Sequence, residues 1–286
     1  MKVGVISHGS PDYLIDIVTD GLIRLLGRDK LSLDYNVRGG WGGGYAHLLQ
    51  GFHGPEPFDI HEADVLIAST RSIPAVKAWA KKTGRRRPVA FLDGEDGDQV
   101  GSNLFSDCAV YFKREYYKGR SYPSNVKPLP FAAIPELLID GIEVTRKVFY
   151  SGHVTHHFRK EIENVLSEMG HHAAPSQDKS AYNKCLMSSL VGVAIRGNGW
   201  DTYRYWEIPY FGAMLFSQRP GIVIPNEFED GKEAVYYDNA SDFRTKLRNL
   251  LETPEKTLEI ARAGHEASIK RHLSINRAKT VLEALS

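Results

Sequence analysis

Residues Gly197–Phe216 read GNGWDTYRYWEIPYFGAMLF, and a short apolar run, Leu190–Ile195, comes just before them. The apolar run predicts a buried strand, and Gly212–Phe216 predicts the strand that follows. Between the two, Gly197 and Gly199 mark a turn that needs either unusual backbone angles or a close approach of the backbone. The stretch therefore has the order strand, glycine turn, helix, strand.

The helix in this stretch has two features of an anion site. Asp201 or Thr202 can cap its first turn, where exposed amide groups attract negative charge. Arg204 and Glu207 are three residues apart, so they share one helix face near that end. Two interpretations stay open, a seat for a phosphorylated ligand and an ordinary βαβ unit with a surface ion pair.

Composition sets the class of protein. The 286 residues predict two domains, and 42% hydrophobic with 25% charged residues is typical of a globular protein. Lys and Arg total 36 and Asp and Glu total 35, which argues against a large general field for nucleic acid. No apolar run reaches the roughly 20 residues that span a bilayer, so we expect no membrane span. The start, MKVGVISHGS, reads as a strand and turn rather than a signal peptide, and two distant cysteines favour a reducing cytoplasm.

The first half opens like a doubly wound α/β domain. Lys2–Ile6 predicts a strand, His8 and Gly9 lie in the turn after it, and residues from Pro11 to Leu26 have helical spacing. Ligands in such folds bind at the carboxyl ends of the strands, so His8 is a candidate catalytic base and Gly9 a candidate acceptor contact. Alternatively, His8 only caps the helix.

A glycine-rich loop follows the second predicted strand. Residues 38–45 read RGGWGGGY, and no Lys follows at the P-loop position, so that motif is rejected. Gly42, Gly43 and Tyr45 are candidate acceptor contacts in a loop whose amides can wrap a phosphate or a sugar. An inert linker is the alternative interpretation.

Acidic and basic clusters complete the first half. The strand Val89–Leu92 ends in DGEDGD, where Asp93, Glu95 and Asp96 could supply a general base, hold a divalent cation or form a solvated turn. Arg85 to Arg87 form a basic turn that is a solvated face or a contact for an anionic acceptor. A second basic cluster comprises Lys113, Arg114, Lys118 and Arg120.

The second half restarts the pattern of strand, glycine turn and helix. Lys147–Tyr150 predicts a strand, Gly152 the turn, and Arg159 begins a helix where it could contact a phosphate. Several histidines lie nearby, but no Cys or carboxylate has zinc-like spacing, so we expect no metal site. The predicted domains are residues 1–143, residues 144–268, and a C-terminal helix, residues 269–286, that packs back on the first domain.

Several blocks of the second half carry a family resemblance. They read SGHVTHHFRKEI, then YNKCLMSSLVGVAIRGNGWDTYRYWEIPYFGAMLF, then FEDGKEAVYYDNASDFRTKL and PEKTLEIARAGHEASIKRHLSINRA. In order and spacing they resemble the nucleotide-sugar-binding half of GT-B glycosyltransferases, specifically the CgeB-like branch of group 1. The resemblance implies an α/β fold of two facing Rossmann-like domains with C-terminal helices that cross back to the first domain.

The resemblance also implies roles for single residues. Glu207 matches the glutamate that binds the ribose hydroxyls of the donor, and Arg204 matches an arginine that faces its diphosphate. Gly199 stands eight positions before Glu207, where many group 1 enzymes have a second glutamate, so that acid is missing here. The implied donor site comprises Gly152, Arg159, Arg196, Gly197, Gly199, Asp201, Thr202, Arg204 and Glu207.

The activity so implied is transfer of a sugar, typically a hexose, from a nucleotide-diphosphate sugar to a hydroxyl. UDP-sugars are the favoured donors, retention of configuration is favoured, and no metal or other cofactor is obligatory. If the reaction inverts, His8, Asp93, Glu95 or Asp96 must act as base. The acceptor is a polysaccharide, a protein, a small molecule or modified DNA. The alternatives are a phage-type enzyme that acts on hydroxylated DNA bases and a non-catalytic nucleotide-sugar binding protein.

Overall fold

The structure is a computed structural model that describes most of the chain. The described residues are 1–7, 12–34, 56–84, 87–101, 108–136, 138, 142–152, 157–174 and 178–286. Predictions for five site residues lie outside these ranges, namely His8, Gly9, Gly42, Gly43 and Tyr45.

Ten strands run through the described residues. In chain order they are β1 Val3–Ile6, β2 Leu31–Asp34, β3 Val65–Ser69, β4 Val89–Asp93, β5 Val110–Lys113, β6 Val126–Pro128, β7 Arg146–Phe149, β8 Ser189–Ala194, β9 Met214–Gln218 and β10 Val235–Tyr237.

Eight helices lie within the described residues. They are α1 Tyr13–Leu26, α2 Ile73–Thr83, α3 His157–Glu168, α4 Lys179–Met187, α5 Tyr203–Tyr210, α6 Ala240–Glu252, α7 Pro254–Arg271 and α8 Ser274–Glu283. Short 3-10 turns occupy Arg28–Lys30, Ile60–Glu62 and Thr70–Ser72.

The chain divides into two compact units. The first holds residues 1–134, 223–225 and 273–286, and the second holds residues 135–222 and 226–272. Each unit has its own parallel sheet, in the order β2-β1-β3-β4-β5-β6 for the first and β10-β9-β8-β7 for the second. In the first sheet the strand order reverses between β1 and β3, and such a reversal is where a doubly wound sheet opens a ligand crevice.

In the first unit, α8 packs closely on α1. A Cβ atom added at Gly21 would lie 2.2 Å from the carbonyl oxygen of Ser274, so only glycine allows this approach. The Ser274 hydroxyl donates to Asp20 Oδ2, and Arg277 Nε donates to the carbonyl oxygens of Pro130 and Phe131 at 2.9 and 3.0 Å. Polar contacts as well as close backbone packing therefore hold the last helix in this unit.

In the second unit, α5 lies directly on the sheet. A Cβ at Gly192 in β8 would lie 2.6 Å from Ile208 Cγ2, so this glycine lets the helix approach the strand. Trp206 and Ile208 are fully buried in α5, which fixes the rotation of the helix and hence the direction of Arg204 and Glu207. The packing of this one helix thus positions the residues that the sequence singles out.

Two segments differ from what their sequence suggests. The run Gly221–Pro225 has the apolar, β-branched sequence typical of a strand, but it forms no strand, and Val223 N instead donates to the carbonyl of Tyr116 at 2.7 Å. The short strand β6 forms although it contains Pro128, which cannot donate a hydrogen bond to a neighbouring strand. Proline is tolerated there because β6 is the edge of the described sheet.

The contact of α1 with α8 predicts an unusual effect of alanine. Gly→Ala inside a helix normally stabilises it by about 1 kcal/mol. At Gly21 we expect the opposite, a loss of about 1–3 kcal/mol in the free energy of unfolding of the first unit, because the added methyl group meets the backbone of α8. Hydrogen exchange of β1 and α1 measures this loss. Lys279→Ala, at an exposed position of α8, is the control, and a stabilised Gly21→Ala variant would contradict the packing.

A second prediction concerns pH. Burial, and then the neighbouring charge of Asp12, raise the pKa of Asp16 to about 8. The folded unit therefore binds a proton that the unfolded chain has released, and its stability falls as pH rises from about 4 to about 8. Asp16→Asn should remove most of this fall and be the more stable protein at pH 9. Exposed Glu283→Gln is the control, and an unchanged pH slope in Asp16→Asn would contradict this assignment.

Candidate nucleotide-sugar site

A close approach of backbone and arginine marks the carboxyl end of β8. Gly197 N donates to the carbonyl oxygen of Gly199 at 2.9 Å, which closes the predicted turn. A Cβ at Gly197 would lie 3.2 Å from Arg159 Nη2. Neither Gly197 nor Gly199 has a positive φ. Gly197 is therefore needed for the space beside Arg159 and not for its backbone angles.

Gly152, after β7, lies against two guanidinium groups at once. A Cβ at this position would lie 3.3 Å from Arg204 Nη2 and 3.5 Å from Arg159 Nη1. It would also lie 3.3 Å from the hydroxyl of Tyr150, a residue that sequence reasoning did not assign to the site. The structure thus brings together four predicted donor-site residues, Gly152, Arg159, Gly197 and Arg204.

The two arginines are held differently. Arg159 is buried, and its Nε and Nη2 donate to the carbonyl oxygens of Arg196 and Ile195 at 2.8 and 3.1 Å. Burial lowers the pKa of Arg159, and the nearby charge of Arg204 lowers it further. Arg204 has no ion pair within the described ranges, and its buried Nε has no hydrogen-bond partner there. Two adjacent guanidiniums, of which Arg204 has no counter-charge within the described ranges, form a site that favours an anion.

Glu207 lies on the same helix as Arg204 and is also buried. Lys179 Nζ is 2.5 Å from its Oε1, and the Tyr182 hydroxyl donates to its Oε2 at 3.0 Å. Sequence reasoning missed both partners, which lie on α4. A helical spacing of three residues between Lys179 and Tyr182 is the pattern that could have indicated them.

Three other predicted donor residues lie between β8 and the start of α5. Asp201 is buried and accepts a hydrogen bond from Trp206 Nε1 at 2.7 Å, so its carboxylate anchors α5 from within. Thr202 occupies the N-cap position, but its side chain makes no capping hydrogen bond, so the predicted side-chain cap is wrong at this residue. The guanidinium of Arg196 lies over the ring of Trp200, 4.7 Å from its centroid.

In the first unit, the carboxylates after β4 are paired with cations. Asp93 is buried, with Lys113 Nζ 2.9 Å and the Tyr111 hydroxyl 2.6 Å from its Oδ2. Glu95 pairs with Arg71, whose hydrogen bond lowers the pKa of Glu95.

The second basic cluster in the sequence forms the other half of this network. Arg114 pairs with Asp96 and with Glu115, and Arg120 pairs with Asp98. Lys113 is fully buried on Asp93. Arg87 lies apart from this network and donates to the carbonyl oxygen of Glu62 at 3.1 Å. Lys113, Arg114 and Arg120 are therefore paired with acids, and the first two of these are buried.

Within the described ranges, no group of three or more His, Cys, Asp or Glu side chains is placed to hold a metal ion. Of the helices that the structure describes, none combines the length and apolar character needed to cross a bilayer.

Solved structures share the fold of the whole chain. HepE from Anabaena, solved with UDP-glucose, is 12% identical with a TM-score of 0.64, covering 100% of this chain and 99% of that one. The lipopolysaccharide outer core galactosyltransferase WaaB is 12% identical with a TM-score of 0.62 over the same shares. A putative UDP-N-acetylglucosamine 2-epimerase from Listeria monocytogenes is 11% identical with a TM-score of 0.54, covering 99% and 95%. These identities show the fold alone, and the predicted α/β class with two Rossmann-like units of GT-B type is confirmed.

The sequence itself decides the family. No curated protein matches the chain. The family model described as "Glycosyl transferase-like" matches residues 140–283, just over half of the chain, and includes both arginines and Glu207. The match does not single out the CgeB-like branch, which stays a prediction. On this match and the GT-B fold, the chain belongs to the glycosyl transferase-like family and is a glycosyltransferase.

Proposed function

We propose that the chain transfers a hexose from a UDP-sugar to a hydroxyl acceptor, and that the second unit binds the donor. The observation that carries this proposal is the pair of guanidiniums around Gly152, one of which has no counter-charge among the described residues. HepE, which shares the fold, was solved with UDP-glucose, so UDP-glucose is the first donor to test.

Each part of the donor has a matching group. The diphosphate lies against Arg159 and Arg204, whose planar donor forks suit phosphate oxygens. The ribose hydroxyls donate to Glu207, since a carboxylate can accept several hydrogen bonds. Because Gly152 and Gly197 have no side chains, they leave space in which the diphosphate can contact the two guanidiniums. We also assign to the donor site the residues that shape the turn after β8, namely Arg196, Gly199, Asp201 and Thr202.

The chemical step follows from these contacts. The bond between the sugar and the β-phosphate oxygen breaks, and negative charge builds on the departing UDP. Arg159 and Arg204 stabilise that charge from fixed positions, which is the most effective form of electrostatic catalysis. Because two arginines supply the positive charge, we propose that the reaction does not require a metal, and chelation should leave the rate unchanged.

Retention of configuration is the favoured outcome. Inversion requires a carboxylate or His8 to take the acceptor proton. Among the predicted bases within the described ranges, Asp93, Glu95 and Asp96 each pair with a cation. For Glu95 the pairing with Arg71 lowers the pKa, which weakens this carboxylate as a base. Comparing the anomeric configuration of product and donor by NMR tests retention.

The acceptor stays open among polysaccharide, protein, small molecule and modified DNA. The pairing of Lys113, Arg114 and Arg120 with acids gives no support to DNA. Both cysteines are free thiols, which supports a place in the reducing cytoplasm.

Arg204→Ala tests the proposal directly. We expect this variant to bind UDP on the order of 10 to 100 times more weakly, and to hydrolyse UDP-glucose at least 100 times more slowly, because a transition-state donor is lost. Calorimetry and release of free UDP measure the two effects.

Arg248→Ala, at an exposed position of α6, is the matched control and should behave like the wild type. Wild-type protein that binds UDP but never releases it from any UDP-sugar, with or without acceptors, would support the non-catalytic alternative. Wild-type protein that binds neither UDP nor UDP-sugars would contradict the proposal.

A further inference from the structure

Glu207 is held by two groups of the neighbouring helix α4. Lys179 reaches its Oε1 and Tyr182 its Oε2, at 2.5 and 3.0 Å. A carboxylate has about four lone-pair positions, so each oxygen keeps one position for a further donor. Two vicinal hydroxyls can therefore bind Glu207 while Lys179 and Tyr182 stay in place.

Lys179 lies between two carboxylates. Besides Glu207, Glu136 Oε1 is 3.4 Å from its Nζ. Glu136 is itself fixed, since Asn183 Nδ2 donates to its Oε2 at 2.8 Å and its backbone exchanges hydrogen bonds with the Tyr210 hydroxyl. The ammonium group is thus held in position by the segment before β7 as well as by α5.

The charges around Glu207 make Lys179 its direct counter-charge. Within the described ranges, Lys179 and Tyr182 from α4 contact the Glu207 carboxylate, Glu136 lies on the other side of Lys179, and the charge of Arg204 acts on Tyr182. Burial would lower the pKa of Lys179, but Glu207 and Glu136 outweigh it and raise that pKa. Lys179 therefore stays charged at neutral pH. Without it, the buried carboxylate of Glu207 would lose its cation and stand near a second carboxylate, which is unfavourable for a buried charge.

We propose that Lys179 is a positioning residue of the donor site, which balances the charge of Glu207 and keeps its carboxylate aimed at the ribose. This inference rests on the proposed function and extends it, because it assigns a residue that does not touch the reacting atoms. It also extends the site to α4, which supplies the cation, the Tyr182 hydroxyl and the anchor of Glu136.

Calorimetry of UDP binding at pH 7 tests the inference. Lys179→Met should raise the dissociation constant on the order of 10-fold, the usual cost of losing a hydrogen bond to a charged group.

Three further variants make the result specific. Lys179→Arg keeps the charge and should bind within a few fold of wild type, which also serves if Lys179→Met folds poorly. Lys184→Met makes the same change at an exposed position of the same helix and should have no effect. In a Glu207→Gln background, Lys179→Met should raise the dissociation constant for UDP little further, since no carboxylate remains for Lys179 to hold.

Two outcomes would overturn the inference alone. One is wild-type affinity in Lys179→Met, and the other is an affinity loss from Lys179→Met that is as large in the Glu207→Gln background as in the wild type. Wild-type protein that fails to bind UDP would instead overturn the proposed function, and this inference with it.

Discussion

Two guanidinium groups lie against one glycine, and the second unit is arranged to keep them there. Like charges repel, so this pair persists only because the surrounding backbone fixes it and an anion can share it. The carbonyl oxygens at the end of β8 hold Arg159, and the burial of Trp206 and Ile208 fixes the helix that carries Arg204. Such groups need no rearrangement when charge develops on a leaving phosphate, which is where fixed dipoles and charges contribute most.

The group of residues proposed to bind the donor could be predicted from sequence, because each of its features depends on residues that are close together in the chain. A glycine leaves space for a guanidinium beside the backbone. An Arg and a Glu three residues apart lie on the same face of any helix that contains them. Gly152, Gly197, Arg159 and Arg204 have these features, and the structure places them together. Asp201 shows the limit of such reasoning. A carboxylate before a helix resembles a cap, but this one accepts from an indole five residues later, and no spacing rule indicates that.

The partners that sequence could not supply come from tertiary contacts. Lys179 and Tyr182 reach Glu207 only because α4 lies beside α5 in the folded unit. In the first unit, the sequence shows an acidic and a basic cluster 20 residues apart, as from Asp93 to Lys113. The sheet joins them, since the parallel register of β4 and β5 sets Asp93 directly beside Lys113. Three cations of the basic cluster, Lys113, Arg114 and Arg120, thereby pair with acids of the DGEDGD segment.

The packing of α8 on α1 determines when the first unit can be completed during synthesis. Asp20 and the residue that covers it, Ser274, are 254 positions apart, and the whole second unit is synthesised between them. At about 5–20 residues per second, that delay lasts roughly 10 to 50 seconds. The first unit is therefore completed only after the second unit has been synthesised. During synthesis, the uncovered face of α1 is the surface that a chaperone would meet.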